Sequence, residues 1–228
     1  TRSSSPDAGA YQTEGSAYST SWTGTAADND PYNADNWTSN VVPTTGGTVE
    51  VSGTDQITWD KDFSVSTINI ASGGTLITTA TLAGTINYTR DLETTNWYVI
   101  GSPVEGQDMD DFVASAGLAV SETNNGLGSY NTSDDTWSYY QTGTSNADAL
   151  ASGGGYAISL SGSSGAVTFS GSMNTEDTTV SLTTTGRGFN LLGNPYPSYM
   201  DSGALLSGSS DVLSSQTIWV WNESTDSY

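Results

Sequence analysis

Short stretches in which apolar and polar residues alternate dominate the first half of the chain. Five of them lie between residues 48 and 90, rich in β-branched side chains and closed by glycine or aspartate, at 48–52, 56–59, 64–70, 75–79 and 85–89. Successive side chains of a strand point to opposite faces, so each stretch predicts a short, half-buried strand. Such strands suit hairpins or the coils of a β-solenoid. The order Ile68, Ile70, Gly73-Gly74, Leu76 favours stacked parallel coils.

The second half carries longer alternating stretches separated by turn residues. Its predicted strands are 97–101, 127–130, 136–141, 155–160, 166–171, 178–183, 189–193 and 217–222. Many strands with recurring turn signals indicate an antiparallel β-sandwich. A helix is predicted over 108–116, because acidic residues occupy its first turn and Gly117 ends it, and a second short helix over 202–206.

These patterns predict an all-β fold, in which a short β-solenoid-like stack is followed by an antiparallel β-sandwich. Residues 1–19 are rich in Ser, Gly and Pro and are predicted to be a linker or the tail of an upstream domain. The solenoid-like region is predicted over 20–95. The sandwich is predicted over 96–228, and we expect it to continue beyond the last residue.

Charge and composition remove several functional classes. The 228 residues include 25 Asp and Glu against 4 Lys and Arg, a net charge of −21, with no His and no Cys. Four cations cannot line a phosphate backbone, so nucleic-acid binding is excluded, as is attraction to anionic membranes. Without His or Cys there is no imidazole base, no thiolate nucleophile and no thiolate metal site. Apolar stretches are shorter than the roughly 20 residues of a membrane helix, so no membrane insertion is expected.

An acidic loop between two tryptophans is a candidate metal site. Asp28, Asp30, Asn33 and Asp35 offer alternating oxygen ligands within a few residues. Calcium takes six to eight such hard oxygen ligands, so calcium is the predicted cofactor. The spacing lacks the Gly and the terminal Glu of an EF-hand. The alternative is a turn in which the Asp and Asn side chains bond to their own backbone.

Aromatic residues on the predicted strand 136–141 are candidate sugar ligands. Trp137 and Tyr139 alternate and so share a face, whereas Tyr140 points to the other face. Exposed aromatic rings on a sheet can stack on the apolar faces of sugars. Trp219 and Trp221 share a face of the predicted strand 217–222 in the same way, so the same two interpretations apply to them. The alternative to sugar stacking is that these rings form the core of the sandwich.

Several motifs together resemble one group of proteins. The chain reads WTGT at 22–25, WYVIGSPV at 97–104, GGGYAI at 153–158, VTFSG at 167–171 and GFNLLGNPYPS at 188–198. This combination resembles modules of the large secreted surface proteins of Bacteroidetes that the type IX secretion system exports. Residues 2–11 are similar to the closing phrase of a right-handed parallel β-helix. The resemblance implies an extracellular location on the outer cell surface.

The function expected from these features is that of a non-catalytic structural or adhesive module, stabilised by calcium. No two acids are marked as a catalytic pair, and therefore no enzymatic activity is expected. The expected partners are other modules of the same exoprotein, a polysaccharide or a neighbouring cell surface. The alternative is a carbohydrate-binding module attached to a polysaccharide-degrading enzyme.

Overall fold

The computed structural model describes residues 18–145, 148–163 and 165–228, so most of the predicted linker 1–19 lies outside the described residues. Strands make up 37% and helix 8%, which confirms the predicted all-β class. The strands are β1 (Ser19–Ser21), β2 (Thr48–Val51), β3 (Gln56–Trp59), β4 (Phe63–Ile70), β5 (Thr75–Thr78), β6 (Leu82–Leu92), β7 (Tyr98–Gly101), β8 (Val120–Ser121), β9 (Asn124–Asn131), β10 (Thr136–Gln141), β11 (Gly155–Ile158) and β12 (Gly165–Gly171). The helices are α1 (Met109–Ser115), α2 (Ser202–Gly208) and a 3-10 turn at Ala34–Asn36.

The first half of the chain forms stacked parallel coils. Strands β1, β2, β4 and β6 pair in parallel in one sheet, and β3 and β5 pair in parallel in a second. Glu50 of β2 lies beside Asn69 of β4, 19 residues further along the chain. Val49, Ile68 and Ile86 stack in register on the inner face and are fully buried. The structure therefore contains the solenoid-like stack of parallel strands that the alternating pattern predicts.

A ladder of side chains fixes the register of these coils. Asn69 Nδ2 donates to Glu50 Oε1 at 2.8 Å, and Asn87 Nδ2 donates to Asn69 Oδ1 at 2.9 Å. A slip of one residue would break both hydrogen bonds and turn the buried isoleucines outward. The ladder therefore specifies a single alignment of β2, β4 and β6.

The loop before β2 covers one end of the stack with aromatic rings. Trp37 packs edge-on against Trp22, with ring centroids 5.1 Å apart, and lies 5.8 Å from Trp59 of β3. The Trp59 ring stacks on Phe63 at 3.8 Å, and Tyr32 meets it edge-on at 6.3 Å. This aromatic cluster ties the loop to the first coils.

The second half forms an antiparallel sheet with the order β10-β9-β11-β7, and β8 pairs with β9. Leu127 of β9 lies opposite Ile158 of β11, and both are buried. Strand β12 belongs to the first sheet, where it pairs antiparallel with β6, and Phe169 of β12 stacks on Phe112 of α1 at 5.0 Å. Because β12 covers the outer edge of β6, the parallel sheet does not end on an open strand there.

Three predicted strands are not formed. Residues 178–183, 189–193 and 217–222 belong to no strand of the structure. Residues 189–193 run beside the start of β11 through two backbone bonds, Gly155 N to Leu191 O at 3.2 Å and Gly193 N to Gly153 O at 3.0 Å. Pro195 and Pro197 follow at once, and proline has no N–H with which to extend a ladder.

Both predicted helices are present. Asp108 caps α1 by accepting the Asp111 N–H at 3.0 Å, and Asp201 caps α2 through the N–H groups of Gly203 and Ala204. Each cap satisfies backbone donors that the first helical turn leaves without partners. Among the described residues, neither helix has the length and apolar content needed to cross a bilayer.

Candidate ligand-binding face

Edge strand β10 presents two of the predicted sugar ligands on one side. Trp137 lies opposite Tyr130 of β9, and their ring centroids are 5.3 Å apart. Tyr139 lies opposite Gly128 and packs against Trp97 at 5.7 Å. A Cβ at Gly128 would come within 3.0 Å of the Tyr139 ring, so the missing side chain makes room for this tyrosine.

The C-terminal segment adds two further rings at the border of this surface. Trp221 Nε1 donates to the Trp97 carbonyl at 2.7 Å, and the Trp221 ring meets Tyr228 edge-on at 5.0 Å. We call the whole surface the aromatic face. Its members are Trp97, Tyr130, Trp137, Tyr139, Trp221 and Tyr228.

A tight turn between β9 and β10 places Tyr130 and Trp137 side by side. Asn131 Oδ1 accepts the Ser133 N–H at 3.0 Å, and its amide donates to Asp134 at 2.9 Å. Asp135 adopts φ 56°, the left-handed conformation that Asp tolerates in such turns. The local sequence thus closes the hairpin that brings the two rings together.

Polar groups border the aromatic rings. The Tyr130 hydroxyl donates to Asp135 Oδ1 at 2.5 Å, and Arg187 Nε lies 2.8 Å from Asp135 Oδ2. The hydrogen bond to the Asp135 carboxylate raises the pKa of Tyr130. The Arg187–Asp135 pair is exposed and stabilises the fold little. The donors of Arg187 and the acceptors of Asp135 lie beside the rings, where they could bind the hydroxyl groups of a sugar stacked on those rings.

The third predicted sugar ligand lies elsewhere. The Tyr140 hydroxyl donates to the Asp110 carboxylate of α1 and to Thr144 O at 3.1 Å. The same carboxylate accepts the Ser145 hydroxyl at 2.7 Å. Tyr140 therefore joins β10 to the helix, and the structure brings together Trp137 and Tyr139 without it.

Three members of the aromatic face, Trp97, Tyr130 and Tyr228, were not considered as ligands from the sequence. Tyr130 had a local signal, because the Asn131–Asp135 turn implies a hairpin that sets it opposite Trp137. Trp97, Trp221 and Tyr228 come from distant parts of the chain, and only the fold brings them near Tyr139. Trp219, two residues before Trp221 in the sequence, is 62% exposed.

The predicted metal ligands form a network of hydrogen bonds within their own loop. Asp28 accepts from Asn33 Nδ2 at 2.7 Å and from Asn36 Nδ2 at 2.6 Å. Asp30 Oδ1 accepts the Tyr32 N–H at 2.9 Å. Asn33 Oδ1 accepts the Asp35 N–H at 3.1 Å. Three of the four predicted ligands thus already accept from donors of the loop itself.

The calcium prediction remains a prediction. The part of the chain that the structure describes contains no group of three or more Asp, Glu, His or Cys residues that could hold a metal. The donor set of Asp28, Asp30, Asn33 and Asp35 has the hard oxygens that calcium prefers. An ion would have to displace the amide donors of Asn33 and Asn36 from Asp28.

We expect the loop to weaken in acid through Asp28. The side-chain hydrogen bond from Asn33, followed by those from the Asp30 backbone and Asn36, lowers the pKa of Asp28. Its contribution is therefore present above the unfolded pKa of about 3.9 and is lost as the pH falls through the lower folded pKa. The Asp28→Asn variant should melt earlier at neutral pH and show a flatter decline below pH ~4 in thermal melts followed by circular dichroism.

Asp211→Asn, which removes an exposed acid far along the chain, is the control and should retain the wild-type pH profile. Identical profiles for Asp28→Asn and wild type would contradict this role of Asp28. Melting with excess calcium and with EDTA tests the calcium prediction on the same samples: a midpoint that EDTA lowers supports it, and an unchanged midpoint contradicts it.

Comparison with known families, curated proteins and solved structures finds no match to this chain. Three of the sequence motifs, at 97–104, 153–158 and 188–198, meet in the fold. Residues 188–193 run beside the start of β11, and Gly193 lies against Gly101 of β7. Three of the motif segments thus form one structural contact.

Proposed function

We propose that this chain is a non-catalytic structural and adhesive module of a secreted bacterial protein, displayed outside the cell on its surface. The observation that carries the proposal is the aromatic face, whose rings lie on and beside edge strand β10. Trp137 remains 36% exposed there, although a core position would bury it. Exposed aromatic side chains are the groups that contribute most to contact surfaces.

The stack of parallel coils supports the structural part of the proposal. Its register is held by the Glu50–Asn69–Asn87 ladder, and its last long strand, β6, is covered by β12. A stack fixed in this way keeps the aromatic face at a defined distance from the start of the module. Other modules of the same exoprotein and a neighbouring cell surface are the partners we propose.

Four acidic residues have roles in holding the fold, which supports a non-catalytic module. Asp108 and Asp201 cap helices, Asp28 closes a loop, and Asp135 pairs with Arg187. A net charge of −21 spread over such turns keeps a surface hydrated and excludes anionic partners.

The second candidate function is carbohydrate binding, as a module of a polysaccharide-degrading enzyme. The observation in its favour is that the Tyr130–Trp137 ring pair lies directly beside the Asp135–Arg187 pair. Rings that stack on sugar C–H faces and polar groups that bind hydroxyls are the two features such a site needs. The charge of the module restricts its glycans to neutral or cationic polymers.

Retention on surfaces tests both candidates through the same variant. The labelled chain should bind whole bacteria or insoluble polysaccharide, and the Trp137→Ala/Tyr139→Ala variant should bind at least about tenfold less, because truncating central aromatic contacts costs more than 1–2 kcal/mol. Tyr140→Phe is the control, since its hydroxyl lies against α1 and away from the aromatic face.

Competition with soluble glycans separates the candidates. A glycan that displaces the bound chain indicates carbohydrate binding, and retention that no glycan on an array can displace indicates adhesion to a protein surface. Equal retention of the double variant and wild type would contradict a role of the aromatic face in either function.

A further inference from the structure

The loop before β2 contains the single Asp–Pro peptide bond of the chain, between Asp30 and Pro31. The side-chain carboxylate of an aspartate can attack its own backbone carbonyl carbon, because the attack closes an unstrained ring within one residue. A proline on the far side favours this reaction, since its tertiary amide nitrogen takes up a proton and leaves more readily than other peptide nitrogens. Proline also has no N–H, so its nitrogen cannot attack the carboxyl group and form a succinimide, which would keep the chain intact.

The fold places two hydrogen-bond donors on the carbonyl oxygen of this bond. Asn33 N donates to Asp30 O at 3.1 Å, and Asn36 Nδ2 donates to the same oxygen at 3.0 Å. When a nucleophile attacks the carbonyl carbon, negative charge develops on that oxygen and both hydrogen bonds become stronger. Two donors aimed at such an oxygen are the arrangement of an oxyanion hole.

The surroundings fix these groups before any reaction. Asn36 is fully buried, and its Oδ1 accepts the Ala26 N–H at 2.8 Å, which turns its nitrogen toward Asp30 O. On the other side of the bond, buried Trp37 donates its indole N–H to Pro31 O at 2.9 Å. Because the donors are already in position, they need no reorganisation when the charge develops.

The attacking group is held beside the same peptide bond. Asp30 is exposed, and its Oδ1 accepts the Tyr32 N–H at 2.9 Å. This hydrogen bond spans the Asp30–Pro31 peptide group and keeps the carboxylate next to it. Holding a nucleophile beside its target raises the rate of an intramolecular reaction.

A second turn of the chain provides an internal comparison. Tyr196 N donates to Asn194 Oδ1 at 3.1 Å across the Asn194–Pro195 bond, as Tyr32 N does across the Asp30–Pro31 bond. The side chain there is an amide, whose nitrogen donates to Ser198 O at 2.5 Å. This turn therefore has the same proline and the same turn bond but no carboxylate nucleophile.

We propose that the chain cleaves itself between Asp30 and Pro31. A carboxylate oxygen of Asp30 attacks the Asp30 carbonyl carbon, and the carbonyl oxygen takes the negative charge between the donors of Asn33 and Asn36. The C–N bond then breaks, its electron pair goes to the Pro31 nitrogen, which takes a proton from the solvent, and a cyclic anhydride of Asp30 forms. Water opens the anhydride, so the net reaction consumes one water and leaves a free Pro31 amine and a C-terminal Asp30.

The two products stay together after the cut. Strand β1 remains paired with β2, and the Trp22 ring packs against Trp37 across the cleaved loop. The reaction thus converts the covalent connection of residues 1–30 to the rest of the chain into a noncovalent one. It happens once in each molecule and is independent of the function proposed for the aromatic face.

Denaturing mass spectrometry of the full chain tests the proposal by following fragments 1–30 and 31–228. The chain is kept in a mildly acidic buffer in which circular dichroism shows it to be folded, with EDTA present so that no calcium is bound to Asp30. The reference is the same chain in the same buffer with guanidinium chloride, which keeps the Asp–Pro bond but removes the donors. The folded chain should cleave at least about tenfold faster. Equal or slower cleavage of the folded chain overturns the proposal, because only the ordinary lability of the bond would remain.

Three variants identify the groups that react. Asp30→Asn keeps an acceptor for the Tyr32 N–H and should lose cleavage, and Pro31→Ala keeps the carboxylate and should cleave at least about tenfold more slowly. Asp35→Asn removes an exposed acid of the same loop and should cleave as wild type. Cleavage of Asp30→Asn at the wild-type rate overturns the proposal. Equal losses in Asp30→Asn and Asp35→Asn, or cleavage at Asn194–Pro195 as fast as at Asp30–Pro31, overturn it as well.

Discussion

Replacement of Trp59 by alanine is expected to lower the free energy of unfolding by about 3–5 kcal/mol. The Trp59 ring is fully buried and lies between Phe63 at 3.8 Å and Trp37 at 5.8 Å. Its loss leaves a cavity where the loop before β2 meets the first coils. Urea unfolding followed by far-ultraviolet circular dichroism measures the change without depending on tryptophan fluorescence.

The chain contains a control of the same residue type. Trp219 is 62% exposed, and Trp219→Ala should change stability by no more than about 0.5 kcal/mol. Trp59→Phe should cost clearly less than Trp59→Ala, because Trp59 Nε1 is buried without a hydrogen-bond partner among the described residues and phenylalanine removes that donor. A similar small loss for Trp59→Ala and Trp219→Ala would show that the aromatic cluster does not support the fold.

The parallel coils could be predicted because their signal is local. Alternating β-branched residues with glycine at the corners define each strand, and buried stacking such as Val49 on Ile68 follows from repeating that pattern. The 19-residue offset of Glu50 and Asn69 was also present in the sequence. This offset is hard to recognise in the sequence, because Glu50 and Asn69 can be seen as a hydrogen-bonded pair only after β2 and β4 are aligned.

The missed strands show the limit of the same reasoning. Residues 217–222 alternate as a strand would, but strand formation also needs a partner edge, and pairing depends on where distant segments lie. Here the Trp221 indole N–H donates to the Trp97 carbonyl, and Asn222 forms an isolated β-bridge with Ser227. An alternating pattern therefore reports the tendency to be extended and not the presence of a neighbour.

The part of the aromatic face that lies on a single strand could be predicted from the sequence, and the part that depends on distant segments could not. Trp137 and Tyr139 share a side because they alternate on β10, which the sequence shows directly. Tyr140 follows Tyr139 and points to α1, in agreement with the expectation that it faces the other way. Trp97 could not be placed, since its contact with Tyr139 depends on packing between β10 and the start of β7.

Glycines let the C-terminal segment approach the backbone of the antiparallel sheet closely. A Cβ at Gly101 of β7 would lie 2.5 Å from Gly193 Cα, and a Cβ at Gly193 would lie 2.5 Å from Gly101 Cα and from Gly154 O. A Cβ at Gly155 would meet the Leu191 side chain at 2.6 Å. The contacts at Gly101 and Gly193 involve backbone atoms, which cannot move aside as a flexible side chain does.

Gly193→Ala is therefore expected to destabilise the fold by about 1–3 kcal/mol, through overpacking against backbone. The crossing at Gly101 anchors the segment that later supplies Trp221, so we also expect weaker near-ultraviolet circular dichroism from the aromatic face. Gly162→Ala is the matched control, because a Cβ there has nothing within 4 Å, and it should leave both signals unchanged. Gly101→Ala should reproduce the loss, because it places a methyl group in the same contact from the other side. If both crossing variants unfold as wild type does, the segment is held by Pro197 O and the Trp221 indole instead.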